Sequence, residues 1–287
     1  MRGTQEVEMS SERITVPKVR SIKVSRGFEP LTMITAYDFH SARHVDLSGA
    51  EMILVGDSLA MVVLGHSDTL SVTVSDMAYH TKAVKAADTR AMVVTDMPWM
   101  SYHTSKSDAK KAAAKLIRAG AQGVKVEGGK KRADVVKSLV DAEIPVVGHI
   151  GLTPQSVNSF GGFKVQGKDL EAARGIIEDA KAIEAAGAFA IVLEAIPNDL
   201  ATEITSSLSI PTIGIGAGLN CDGQVLVYHD VLGYGVGRRP KFVKAYADVE
   251  QVSVDALSKF VKEVRTSQFP TESHTYHSAE SSVGKIY

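Results

Sequence analysis

The sequence predicts an α/β protein folded as a single-domain (β/α)₈ barrel, on three observations. Short apolar runs recur, and several of them end in a polar or charged residue. Stretches rich in Ala, Lys and Glu separate the runs, and one helix-to-strand junction repeats along the chain. Strands buried on both faces read as continuous apolar runs. Polar groups gathered at one end of parallel strands face a common ligand site.

The first strand is expected over Leu31–Ala36, and the second over Ile53–Val55, followed by Gly56 and Asp57. The third is Met92–Asp96, the fourth Val124–Glu127 and the fifth Pro145–His149, which opens on a proline that a first strand residue tolerates. The sixth is Ala190–Glu194, the seventh Ile210–Gly216 and the eighth Gln224–Tyr228. Amphipathic helices are expected between them, notably over Asp108–Ala119 and Leu170–Ala186. The repeated junction is Gly-Ala at 49–50, 120–121 and 187–188, where glycine closes the last helical turn before a strand. Eight strands alternating with helices over roughly 250 residues suit the barrel; a doubly wound open sheet is the structural alternative. Residues 59–74 interrupt the rhythm and read as a small β excursion over the site. The barrel is expected over 15–267, with a flexible extension at 1–14 and a polar tail at 268–287.

Composition narrows the function classes. The chain has 287 residues, 44% hydrophobic and 23% charged, with a net charge of -1. No excess of Lys and Arg is available to neutralise phosphates, so a dedicated nucleic-acid binder is not expected. The single Cys221 cannot form an intrachain disulfide, and no apolar stretch is long enough to span a bilayer. The first residues lack a secretory core. A cytoplasmic location is the expectation.

The strand ends carry the chemistry. Lys125 and Glu127 share one face of their strand. Asp57 and Asp96 read as equivalent positions, each two residues beyond an inward-facing valine, Val55 or Val94. Three carboxylates aimed at one pocket repel unless a cation or protons intervene, and oxygen ligands without a Cys or His cluster favour Mg²⁺. The competing readings are ordinary: an ion pair for Lys125 and Glu127, a turn or cap for Asp57, an Asx turn for Asp96. Glu194 ends a very apolar strand, where burial would strengthen it as a base, or a loop cation could neutralise it. His149 reads more readily as a hydrogen-bonded core residue than as a catalyst. Gly214-Ile215-Gly216-Ala217-Gly218 lacks dinucleotide-loop spacing and fits a loop after the seventh strand, close to a substrate.

Taken together, these segments resemble the 3-methyl-2-oxobutanoate (ketopantoate) hydroxymethyltransferase family. The match runs in order through Thr35-Ala36-Tyr37-Asp38, Leu54-Val55-Gly56-Asp57-Ser58-Leu59, Tyr79-His80-Thr81-Lys82, Asp96-Met97-Pro98 and Val124-Lys125-Val126-Glu127-Gly128-Gly129. It continues through Gly148-His149-Ile150-Gly151-Leu152-Thr153-Pro154-Gln155, Gly161 to Gly167, Leu193-Glu194, Ile213 to Gly218, Cys221 to Gln224 and Pro240 to Lys244. The resemblance implies transfer of a hydroxymethyl group from 5,10-methylenetetrahydrofolate to 3-methyl-2-oxobutanoate, through a Mg²⁺-stabilised enolate. It implies that Asp57 and Asp96 bind Mg²⁺, with Glu127 completing the shell, possibly through water. Asp57, Ser58, Asp96 and Lys125 would hold the substrate, and Glu194 would be the general base. It also implies a homo-oligomer, a decamer of pentameric rings. The rival readings are another Mg²⁺-dependent 2-oxo-acid lyase or mutase, a Schiff-base aldolase using Lys125, and a non-catalytic 2-oxo-acid binding protein.

Overall fold

A computed structural model describes residues 12–235 and 240–277. Eight parallel strands close into one barrel in sequential order: β1 Leu31–Thr35, β2 Met52–Val55, β3 Met92–Asp96, β4 Gly123–Glu127, β5 Val146–Gly151, β6 Ala190–Glu194, β7 Thr212–Ile215 and β8 Gly223–Leu226. All eight expected strands are present, and closure of β8 onto β1 excludes the open sheet. Between them lie α1 Val16–Ser21, α2 Phe39–Leu47, α3 Leu59–Val62, α4 Val74–Lys85, α5 Lys106–Ala119, α6 Ala133–Val140, α7 Val157–Phe160, α8 Leu170–Ala185, α9 Asn198–Ser207, α10 Tyr228–Leu232 and α11 Val249–Arg265. Among the described residues no helix is long and apolar enough to cross a membrane.

Alternation along each strand divides the core in two. One set faces the helices and includes Ile53, Val55, Val93, Val124, Val126, Ile191 and Leu193. The other fills the barrel with Met33, Met52, Leu54, Met92, Val94, Val147, Val192, Ile213 and Val225. Ile14 and Val19 join this inner set, and the Ile14 N–H bonds Arg90 O just before β3. The chain before β1 therefore plugs the barrel at the amino ends of its strands. Lys23 clamps the same end: its Nζ reaches Asp222 Oδ2 at 2.7 Å and the carbonyls of Thr205 and Ile210. Among the described residues this filling closes the amino end of the lumen and leaves the carboxyl ends of the strands, where barrel sites form, for a ligand.

Two expectations need correction. Residues 59–74 contain no strand: Leu59–Val62 forms α3, with Val63 N and Leu64 N both bonding Leu59 O. The run Leu59–Leu64 is apolar without a period of two, and its backbone groups satisfy one another locally. Val55 faces the outer layer, not the lumen. Asp57 therefore does not match Asp96 in strand position; the turn after β2 delivers it. The expected extension at 1–14 and tail at 268–287 fall partly outside the described residues, at 1–11 and 278–287.

Candidate active site

At the open end the inward positions change from apolar to charged within one step of each strand. Val94 is followed inward by Asp96, Val147 by His149 and Val192 by Glu194, while β4 contributes Lys125 and then Glu127. Register sets the neighbours: Asp96 lies beside Lys125, and Glu127 beside His149. Asp57, Asp96, Lys125, Glu127 and His149 are all buried. Burying charge without partners costs several kcal/mol per ion, so the contacts among these groups decide what they can do.

Lys125 is the hub. Its Nζ lies 3.1 Å from Asp96 Oδ1, 3.8 Å from Glu127 Oε1 and 2.9 Å from His149 Nδ1. Burial pulls this amine down, but Asp96, Glu127 and Asp57 outweigh it and hold it above its ordinary value. On His149, burial and Lys125 act downward while bonds to Glu127 and Glu194 act upward, and the upward pull wins. An ammonium and an imidazolium 2.9 Å apart would repel. We assign the proton to Lys125, which has the closest carboxylate. His149 Nδ1 then accepts from Lys125, and its Nε2 lies 3.0 Å from Glu194 Oε2, within ion-pair distance but without hydrogen-bond geometry.

Asp57 and Asp96 carry the strain of the site. Burial raises Asp57 well above the ordinary carboxyl value, and Asp96 and Glu127 push it further. Burial likewise raises Asp96, although Lys125 opposes it. The Asp57 N–H donates to Asp96 Oδ2 at 3.0 Å. Gly56 leaves room for Ser58, because a Cβ there would stand 2.8 Å from Ser58 Oγ. Ser58 Oγ in turn pairs with the buried Tyr37 hydroxyl at 2.9 Å.

Among the described residues no three His, Cys, Asp or Glu side chains form a ready metal cage. Mg²⁺ needs less, since it keeps several waters and takes one or two carboxylates plus substrate oxygens. Asp57 and Asp96 fit that demand: hard oxygen donors held close, with Asp96 Oδ2 taking the Asp57 N–H and Asp96 Oδ1 facing only the Lys125 ammonium. Glu127 is differently placed. Its Oε2 accepts the Gln155 N–H, and its Oε1 faces His149 Nδ1 at 3.3 Å and Lys125. Burial alone would raise Glu127, but His149, Lys125 and Gln155 hold it below its usual value.

Glu194 stands at the rim, with 15% of its side chain exposed. Its partner is His149 on the neighbouring strand, not a loop cation. The next residue, Ala195, takes a φ of +47°, where an alanine is strained. The Ala195 N–H bonds Ile215 O, and Ala195 O accepts from Gln166 N, which holds that conformation in place.

Sequence reasoning missed Gln155 and Tyr102. Gln155 Nε2 donates to Asp57 Oδ2 at 2.8 Å and to Met97 O, and Gln155 Oε1 accepts from Tyr102 Oη at 2.7 Å. This buried amide ties the loops after β2, β3 and β5 together at Asp57. Neither residue has a charge or a periodicity to mark it. His80, on α4, bonds Tyr37 O at 2.7 Å.

The family model for ketopantoate hydroxymethyltransferase matches residues 13–272. Curated relatives carry the name 3-methyl-2-oxobutanoate hydroxymethyltransferase. One from Thermoanaerobacter sp. (strain X514) is 54% identical over 266 residues, covering 92% of this chain and 96% of its own. One from Carboxydothermus hydrogenoformans is 53% identical, covering 96% of this chain and 100% of its own. Among solved structures, 2,3-dimethylmalate lyase of the PEP mutase/isocitrate lyase superfamily aligns with a TM-score of 0.59 at 14% identity, over 93% of this chain and 92% of that one. At that identity it shows a common fold and no more.

Proposed function

Because the chain belongs to the ketopantoate hydroxymethyltransferase family, we propose that it moves a hydroxymethyl group from 5,10-methylenetetrahydrofolate to 3-methyl-2-oxobutanoate, giving 2-dehydropantoate. The observation that carries this reading is the row Asp57, Asp96, Lys125, His149, Glu194 along one rim. C–H abstraction beside a ketone calls for a cation site, an ammonium and a base side by side, and this row supports assigning those roles to it.

Asp57 and Asp96 would hold Mg²⁺, with Glu127 acting through water or as a neighbouring charge. When bound, Mg²⁺ supplies an electrophile for the carboxylate and ketone oxygens of the 2-oxo acid. Ser58, backed by Tyr37, offers a hydroxyl to the substrate carboxylate. The Lys125 ammonium opposes the negative charge that develops on the ketone oxygen. Glu194 takes the proton from C3, and His149 holds its carboxylate in place from the Nε2 side. C3 then forms a bond to the one-carbon unit, the two bonds from that carbon to folate N5 and N10 break, water supplies the hydroxyl, and the proton taken from C3 and the one left by water end on the two nitrogens.

Schiff-base chemistry on Lys125 is disfavoured by the same geometry. A nucleophilic lysine needs a lowered pKa, and Asp96 and Glu127 raise this one. The reading includes a homo-oligomer, a decamer by family resemblance. α11 supports it: no residue of the helix is buried, and Val254, Leu257 and Val261 line an open groove on it. The single Cys221, buried and unpaired, suits a reducing cytoplasm.

A turnover assay with both substrates, with and without Mg²⁺, tests the function. Formation of 2-dehydropantoate that stops on chelation and returns with Mg²⁺ is expected. Full turnover in chelator, or none with the metal restored, would overturn the reading.

A further inference from the structure

Beside the barrel mouth lies a cleft of about 370 Å³ that the chemistry above leaves unused. Its walls are the β4–α6 turn, the loops after β3 and β5, and the first half of α8. Glu127 and Gln155 line it and also belong to the active site. The cleft and the reaction centre therefore share a wall.

The charges in this cleft are unevenly paired. Its acids are engaged, since Glu127 faces Lys125 and His149 while Asp179 Oδ1 accepts the Lys130 N–H at 2.7 Å. Its cations are held more loosely, Lys131 acting on Asp179 only through space. Neither Lys131 nor Arg132 forms a salt bridge with a described residue, and Arg132 lies over the Tyr102 ring, 5.9 Å from its centroid. His103 adds a buried Nδ1 with no hydrogen-bond partner among the described residues. A second observation concerns space. Gly175 sits inside α8, where glycine costs about 1 kcal/mol relative to alanine, yet a Cβ there would meet nothing within 4 Å. Local packing does not ask for this glycine; the openness of the cleft does. An occupant should be elongated, carry carboxylates for two lysine and arginine side chains, and extend to the reacting carbon.

We propose that this cleft seats the p-aminobenzoylglutamate half of the tetrahydrofolate donor, with its carboxylates on Lys131 and Arg132. The inference rests on the reading that the one-carbon donor is a folate. Arg132 pairs with a carboxylate in a fork of two N–H groups, and Lys131 adds a point charge. The pterin, which bears the transferred carbon, projects past Glu127 toward C3 of the 2-oxo acid.

The test measures tetrahydrofolate binding to the full chain with Mg²⁺ by calorimetry, beside tetrahydropteroate, which lacks the glutamate. Lys131→Glu should weaken tetrahydrofolate about tenfold or more, the scale of a charged hydrogen bond lost, and leave tetrahydropteroate within twofold. Gly175→Phe, which fills the cleft from a helix position with open space, should weaken tetrahydrofolate too. Wild-type affinity in both variants, or equal loss for the two ligands, would overturn the proposal. Exchange of the C3 hydrogen of 3-methyl-2-oxobutanoate with D₂O needs no donor and separates the two readings. A wild-type protein that exchanges but binds no tetrahydrofolate refutes the cleft; one that binds tetrahydrofolate as described but fails to exchange refutes the 2-oxo-acid chemistry instead.

Discussion

Glu194→Gln separates chemistry from architecture at this site. The amide keeps the size of the side chain and an oxygen that can accept the His149 Nε2–H, now 3.0 Å from Glu194 Oε2. What it removes is one negative charge and the capacity to take a proton. Hydrogen bonds to charged groups contribute about 1.5–3 kcal/mol and neutral ones about 0.5–1.5. The change should therefore cost about 1 kcal/mol of stability, less the share screened by solvent at a group 15% exposed. In a chain of 287 residues that is a drop of about 1–2 °C in Tm. Loss of a general base costs on the order of 10²–10⁴-fold in rate, or roughly 3–5 kcal/mol of barrier. The kinetic effect thus exceeds the structural one severalfold, and the two can be told apart. The assay is NMR of C3 exchange in D₂O with Mg²⁺ and 3-methyl-2-oxobutanoate, beside a thermal melt. A folded variant exchanging at near the wild-type rate would remove Glu194 from the base role and leave His149 as the nearest candidate.

Other expectations follow from the same contacts. Asp57 and Asp96 are held above the ordinary carboxyl value in the metal-free fold, so their contribution favours folding at low pH and is lost as pH rises through their folded pKa values. Mg²⁺ would replace the protons they hold, so its stabilisation in thermal melts should grow as pH rises through their folded pKa values; a shift independent of pH would argue against these ligands. Gln155→Leu removes the donor to Asp57 Oδ2 and the acceptor for Tyr102, and should weaken Mg²⁺ binding about 10–100-fold, read by calorimetry. Lys23→Met strands Asp222 in the barrel floor, where both side chains are buried. It should cost about 3–5 kcal/mol in denaturant unfolding, far from any substrate contact.

Legibility in the sequence followed the physics of each element. Strands such as Ala190–Glu194 were readable because burial on both faces leaves an uninterrupted apolar run. Asp96, Lys125, Glu127 and Glu194 were readable because charge at the end of such a run needs a reason. The parity reading of Asp57 failed because alternation holds only within a strand, and β2 stops at Val55 before Gly56 turns the chain. The 59–74 segment failed for a related reason: an apolar run without alternation is equally open to a helical turn. Gln155 was present in the motif, but its work depends on the short 3-10 turn Pro154–Ser156 carrying it back across β2 and β3. No local pattern encodes that return.

The balance of charge in the lumen shows which part of the site the chain leaves unfinished. Lys125 has Asp96 and Glu127, and His149 stands between Glu127 and Glu194. Asp57 has no such partner: among the described residues no cation lies within ion-pair distance, and a neutral amide donor is its only side-chain bond. Its nearest charged neighbour along the backbone bond, Asp96, is of like sign. A buried carboxylate in that position either keeps a proton or acquires a cation. Keeping the proton would leave a neutral acid beside a ketone, of little use in drawing charge onto oxygen. The proposed divalent cation would neutralise Asp57 and Asp96 together and keep positions for two substrate oxygens. The imbalance that makes these two carboxylates costly to bury side by side is the one such a cation would relieve.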